Sequence, residues 1–158
     1  MGVNNSELIR EELIFLDYEA SDKKDLITKM GTYAQLKGYV KESFLEAILK
    51  REEVYPTGLR GENLAIAIPH TDAIHINEPA VFFSRLKNTV KFKEMGIGVD
   101  DIDVQLVFML LIKTPEDQVD MLSNLMGLFV KHDMAEILKN STDKEEIYNT
   151  LVSIVSNN

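Results

Sequence analysis

The feature that most constrains this chain is residues 64–68, Leu-Ala-Ile-Ala-Ile, apolar at every position and followed at once by Pro69. A strand with one wet face alternates apolar and polar side chains, so an unbroken apolar run of this length reads as a strand covered on both sides. Pro69 ends it by withdrawing a backbone donor from the ladder. Cover on two sides requires a layer above and a layer below, and the rest of the chain carries helical patterns for both.

Ahead of the run, Leu13, Ile14, Phe15 and Leu16 sit between acidic ends within residues 8–18 and predict a short first strand. Ser21 offers an N-cap to a helix in which Leu26, Ile27, Met30, Tyr33 and Ala34 recur at helical spacing until Gly38. Phe44, Leu45, Ile48 and Leu49 predict a second helix running up to Arg51. Beyond the run, AVFFSRL from Ala80 and VKFKE from Val90 read as two strands with a turn at Asn88, and DVQLVFMLLIK from Asp103 is the longest strand candidate. Thr114-Pro115-Glu116-Asp117 supplies a capping hydroxyl, a first-turn proline and acids near the positive end of the helix dipole. Val119, Leu122, Met126 and Phe129 are the predicted buried stripe of that helix, and helical patterns at Met134–Leu138 and Ile147–Val155 close the chain. Met109, Met121 and Met126 are expected to fill the core. The expectation is an α/β protein, a three-layer α/β/α sandwich around a mixed sheet of about four or five strands. With no Gly-, Pro- or Ser-rich linker and no internal repeat, residues 1–158 read as a single domain.

Composition narrows the partners. The chain has 26 acidic and 17 basic residues, a formal net charge of -9, which opposes binding to nucleic acid or to an anionic membrane. It has no cysteine, hence no disulfide, no thiolate nucleophile and no cysteine zinc site, as suits a reducing cytoplasm. The longest apolar run, Leu106–Ile112, is too short to span a bilayer, and the opening MGVNNSELIREE lacks the pattern of a signal peptide. A cytoplasmic location is the expectation. No G-x-S-x-G stands in the chain. Neither Gly58 with Gly61 nor Gly96 with Gly98 forms a nucleotide loop.

Three histidines are present, and His70 follows the buried strand and its proline directly. An imidazole is largely neutral at cytoplasmic pH and can serve there as nucleophile or base. Local sequence is equally served by a structural histidine whose ring bonds a loop carbonyl. His75 and His132 lie apart, so a metal site is not expected, and no cofactor is called for.

The wider context is Arg51-Glu52-Glu53-Val54-Tyr55-Pro56-Thr57-Gly58-Leu59, a short loop, and then Asn63 to Thr71 with Pro69-His70 at the strand end. In the order and spacing of these residues the chain resembles the phosphoryl-accepting EIIA domain of the phosphoenolpyruvate-dependent sugar phosphotransferase system, fructose-mannitol class. The resemblance covers nearly the whole chain. It implies that His70 receives a phosphoryl group from the phosphocarrier HPr, on the far ring nitrogen, and passes it to a sugar-specific EIIB, with an indirect link to the membrane EIIC.

Such a transfer has a loose transition state, so the protein's work is positioning and stabilising charge on the equatorial oxygens. Arg51 supplies a planar fork for them, Thr57 a hydroxyl, and Thr71 a hydroxyl or backbone N–H. Taken without the resemblance, Arg51 also reads as a surface residue at a helix end, and both threonines as turn formers. Gln118 stands where mannitol and many fructose members have a second histidine; it keeps a donor but no charge, leaving more of the charge to Arg51. Gln118 and Pro56-Thr57-Gly58 favour the galactitol type. A regulatory protein of the same fold, of the nitrogen-related kind, is the alternative.

Overall fold

The computed structural model describes residues 5–96 and 100–156; Gly98 and the first four residues of the opening segment, both invoked above, lie outside them. Ten regular elements follow in order: β1 (Ile9–Tyr18), α1 (Lys23–Leu36), α2 (Phe44–Val54), β2 (Gly58–Arg60), β3 (Ala65–Ala67), β4 (Ala80–Lys93), β5 (Asp101–Leu111), α3 (Pro115–Met126), α4 (His132–Asn140) and α5 (Lys144–Val155). The strands form one mixed sheet in the order β1-β4-β5-β3-β2. β1 runs parallel to β4 and β3 parallel to β5, whereas β4 with β5 and β2 with β3 are antiparallel.

The apolar run behaves as its pattern requires. Leu64, Ile66 and Ile68 enter one core with Phe83, Phe108 and Leu110, against Met121 and Leu125 of α3, Leu138 of α4 and Leu151 of α5. Ala67 faces the other core with Phe82, Val107 and Met109, against Leu26 and Met30 of α1 and Phe44 and Ile48 of α2. Alternate residues of one strand thus serve opposite layers, and the molecule is the expected three-layer α/β/α sandwich.

Four local expectations are corrected. The cap of α1 is Asp22, whose carboxylate accepts from the Asp25 backbone N–H at 2.8 Å; Ser21 instead gives its own N–H to Asp25 at 2.9 Å. The segment from Ala80 to Lys93 is one strand, not two. Arg85 pairs with Leu106 and Val90 with Val104, so residues 86–89 stand opposite Gln105 alone. Asn88 lies in that excursion, a local irregularity that keeps the ladder going after it. The fifth strand is therefore β2, which the sequence reading treated as loop.

Of the stripe expected for α3, Leu122 and Phe129 pack half-buried against the core, whereas Val119 is 65% and Met126 50% exposed, and the fully buried positions are Met121 and Leu125, with Leu128 just beyond the helix. Of the three methionines expected inside, Met109 and Met121 are buried and Met126 is not. Among the described residues no helix is long and apolar enough to cross a membrane.

Candidate functional site

The parallel pair β3 and β5 deliver their carboxyl ends to the same end of the sheet, where open α/β folds place their sites. Past β3, Pro69 accepts the Leu110 N–H through its carbonyl at 3.0 Å, and His70 bridges to Leu110, so the histidine is held against the neighbouring strand. Its Nδ1 lies 2.7 Å from the Ile68 carbonyl oxygen. A carbonyl can only accept, so in the neutral ring Nδ1 carries the proton and the lone pair sits on Nε2. Burial pulls the pKa of His70 below the usual imidazole range; the Ile68 bond opposes this, nearby Arg51 adds to it, and Asp72 opposes it. Burial thus favours the neutral ring, with its lone pair on Nε2.

Arg51 comes from the last turn of α2 and meets the histidine loop through Asp72, Nη1 to Oδ1 3.8 Å. Its guanidinium also lies over the Tyr55 ring, 5.2 Å from the centroid. These contacts hold the fork while leaving its buried Nε without a hydrogen-bond partner. Arg51 and Thr71 line one cleft with Val54, Tyr55, Asp72 and His75. His75 itself is tied to Ser43, Nδ1 to Oγ 2.7 Å.

Thr57 is buried. Its hydroxyl donates to Glu52 Oε1 at 2.8 Å and accepts the Ile68 N–H at 3.1 Å, so its single proton is already spent and is not offered to an incoming oxygen. Gln118 occupies the first turn of α3, after β5, at the same end of the sheet as His70; its buried Nε2 has no hydrogen-bond partner. No hydrogen bond joins it to His70 among the described residues. His132 begins α4, and no group of three or more potential metal ligands occurs among the described residues.

The sequence reading assigned no role to Glu52. It is 2% exposed, and its carboxylate takes both the backbone N–H and the hydroxyl of Thr57, each at 2.8 Å. Burial drives its pKa from 4.5 up to about 7, against the lowering effect of the Thr57 bonds and Lys23. The available signal was helical phase, since Phe44, Ile48 and Glu52 are spaced four apart on the buried stripe of α2.

Fold and site together define a three-layer α/β protein presenting a neutral, arginine-flanked histidine at a sheet end. The family described as "Phosphoenolpyruvate-dependent sugar phosphotransferase system, EIIA 2" matches residues 7–154, and the chain belongs to it. It is accordingly an EIIA-type phosphotransfer domain. The galactitol-specific EIIA component of Escherichia coli (strain K12) is 34% identical over 117 residues, which cover 74% of this chain and 77% of that protein. A nitrogen regulatory protein of Bradyrhizobium diazoefficiens is 28% identical over 151 residues, covering 92% and 93%. Enzyme IIAMTL of Escherichia coli, solved in complex with phosphorylated enzyme IIBMTL, superposes with a TM-score of 0.70 at 25% identity, covering 97% of each chain.

Proposed function

We propose that this chain is the EIIA component of a sugar or polyol phosphotransferase system, of the galactitol type, taking a phosphoryl group from HPr on His70 and handing it to EIIB. The observation that carries the reading is the Nδ1 bond of His70 to the Ile68 carbonyl, which leaves the Nε2 lone pair as acceptor. In the first transfer the donor's N–P bond breaks as the Nε2–P bond forms, and the donor imidazole recovers its electron pair. No proton moves at His70, because the ring proton is already on Nδ1.

Arg51 neutralises the equatorial oxygens with its open guanidinium edge. Thr71, buried directly after His70, offers backbone N–H or hydroxyl. The free amide of Gln118 stands in for the second histidine of other branches, donating without charge. Thr57 contributes by holding the strand that carries the histidine. A complex between a similar enzyme IIA and a phosphorylated enzyme IIB supports the onward partner. The galactitol type rests on the 34% identity to the Escherichia coli component, together with Gln118 and Pro56-Thr57-Gly58.

The test is intact-mass spectrometry after incubation with phosphoenolpyruvate, enzyme I and HPr, beside His70→Ala. One acid-labile phosphoryl group, absent from the variant, is expected; an unmodified chain with active control components would refute the reading. A second reading, a regulator acting through phosphorylation-dependent protein binding, draws on the full-length likeness to the nitrogen regulatory protein. Transfer onward to EIIB, or growth complementation with it, separates the two: a regulator takes the phosphoryl group and does not pass it on.

A further inference from the structure

A carboxyl group buried to 2% exposure at the end of a helix is costly unless something is gained from it. Glu52 has no side-chain cation within salt-bridge reach among the described residues; Lys23, whose charge acts on it, pairs with Glu53 at 3.9 Å. What Glu52 does have is Thr57, held at two points: the backbone N–H to Oε2 and the hydroxyl to Oε1. The second bond decides the state of the Thr57 rotor. A hydroxyl has one proton and two lone pairs, and with the proton drawn to Glu52 a lone pair is left facing the Ile68 N–H at 3.1 Å. The carbonyl of that same Ile68 then takes the Nδ1 proton of His70 at 2.7 Å. One polar path thus runs from the end of α2 through the β2 entry and the β3 exit to the reacting ring.

We propose that Glu52 is a positioning residue for phosphoryl transfer: through Thr57 and the backbone of Ile68 it sets the orientation and tautomer of His70, so that Nε2 and not Nδ1 is presented to the donor. The proposal rests on the phosphotransfer reading above and deepens it. Glu52 precedes no reacting atom and touches none. It acts by locking the segment that supplies the acceptor for the histidine's Nδ1, and by pinning the turn of α2 that carries Arg51. Both partners of the incoming phosphoryl group are thereby registered against one another, which is where angstrom-scale errors are most damaging to transfer.

The test pairs Glu52→Gln, which keeps shape but presents an amide N–H2 to one of the two Thr57 donors, with Thr57→Val, Thr57→Ser and the double variant Glu52→Gln/Thr57→Val. Two readouts are taken at alkaline pH, where Glu52 and His70 are both deprotonated. Nitrogen-15 NMR of the His70 ring reports the tautomer, and rapid-quench phosphorylation by phospho-HPr reports the rate. Wild type and Thr57→Ser are expected to hold the proton on Nδ1. Glu52→Gln and Thr57→Val are expected to populate the Nε2–H form and to slow transfer by about tenfold to a hundredfold at saturating phospho-HPr, with half-saturation unchanged. The double variant should be no slower than either single one, because both break the same path.

Multiplied effects in the double variant would mean that Thr57 acts on the phosphoryl group independently of Glu52, and would overturn the proposal. So would an unchanged tautomer and rate in Glu52→Gln. If that variant does not fold, Thr57→Val against Thr57→Ser carries the decision, with equal tautomers and rates the refuting result. A wild-type chain that takes no phosphoryl group overturns the functional reading and this proposal together, whereas a competent wild type with indifferent variants overturns the proposal alone.

Discussion

At the scale of single residues, the proposed function requires one imidazole to stay neutral next to a cation. Burial is the largest influence on His70 and lowers its pKa; Arg51 works in the same direction and Asp72 against it. An NMR titration should therefore place the His70 midpoint below the ordinary value of 6.5, with Arg51→Gln moving it up and Asp72→Asn moving it further down. The opposite order would mean that the ring does not sense these charges. Arg51 also illustrates why one cation cannot replace another. Arg51→Lys keeps the charge but loses the planar fork and the stacking on Tyr55, so phosphoryl uptake is expected to fall by about a hundredfold in a single-turnover assay. Retained rate in the lysine variant would show that charge alone suffices.

At the scale of elements, short β2 bears on the site because Thr57 leads directly into it. Its first residue, Gly58, gives its carbonyl to the Met95 N–H at 2.7 Å and bridges Glu94. A Cβ at this position would lie 2.7 Å from the Lys93 carbonyl oxygen and 2.9 Å from Ile102 Cδ1. The backbone oxygen cannot move aside cheaply, so Gly58→Ala should cost about 1–3 kcal/mol in chemical denaturation; a neutral substitution would mean that β2 shifts freely against β4. The same strand shows where reading the sequence runs out. Residues 64–68 announced a doubly covered strand because every position is apolar, and Pro69-His70 with Arg51 pointed to the proposed site through type and spacing. Gly58-Leu59-Arg60 has too few residues to show a period and exists as a strand through its antiparallel pairing with Ala65–Ala67 and the Met95 N–H bond to the Gly58 carbonyl. Lys87-Asn88-Thr89 has the composition of a turn, and only the pairing on either side, Arg85 with Leu106 and Val90 with Val104, makes it an excursion within one strand. In α3 the apolar residues fit two helical phases, and packing selected Met121 and Leu125 over Val119 and Met126. Glu52 stood in the motif beside Arg51, but its burial was not read, because that shows only when the helical phase is followed past Ile48.

At the scale of the whole molecule, two cores on opposite faces of one sheet hold the site between them, and its polar groups draw on the stability those cores supply. A domain typically has only about 5–15 kcal/mol in hand, so one misplaced ionisation is a visible fraction of the total. Glu52 makes this measurable. Its pKa is 4.5 in the ordinary state and about 7 when folded, raised first by burial, lowered by the two Thr57 bonds and by Lys23 of α1, and raised again by Glu53 of α2. The folded protein thus binds the Glu52 proton more tightly than the unfolded chain does. Its contribution is fully present below pH 4.5 and is lost as the pH rises through about 7, for a total of about 3 kcal/mol. His70 runs the other way: with a folded pKa below 6.5, it favours the native state above that value and withdraws support as the pH falls. The difference in unfolding free energy between the wild-type and Glu52→Gln chains, measured with His70→Ala in both, isolates the first effect. Urea denaturation across this range should show the wild type losing ground to the glutamine variant as pH rises from about 4.5 to 7, and no further change above. A difference that stays flat with pH would mean that Glu52 ionises in the fold as readily as in water, and that the carboxyl at the centre of the site's support is not held out of solvent.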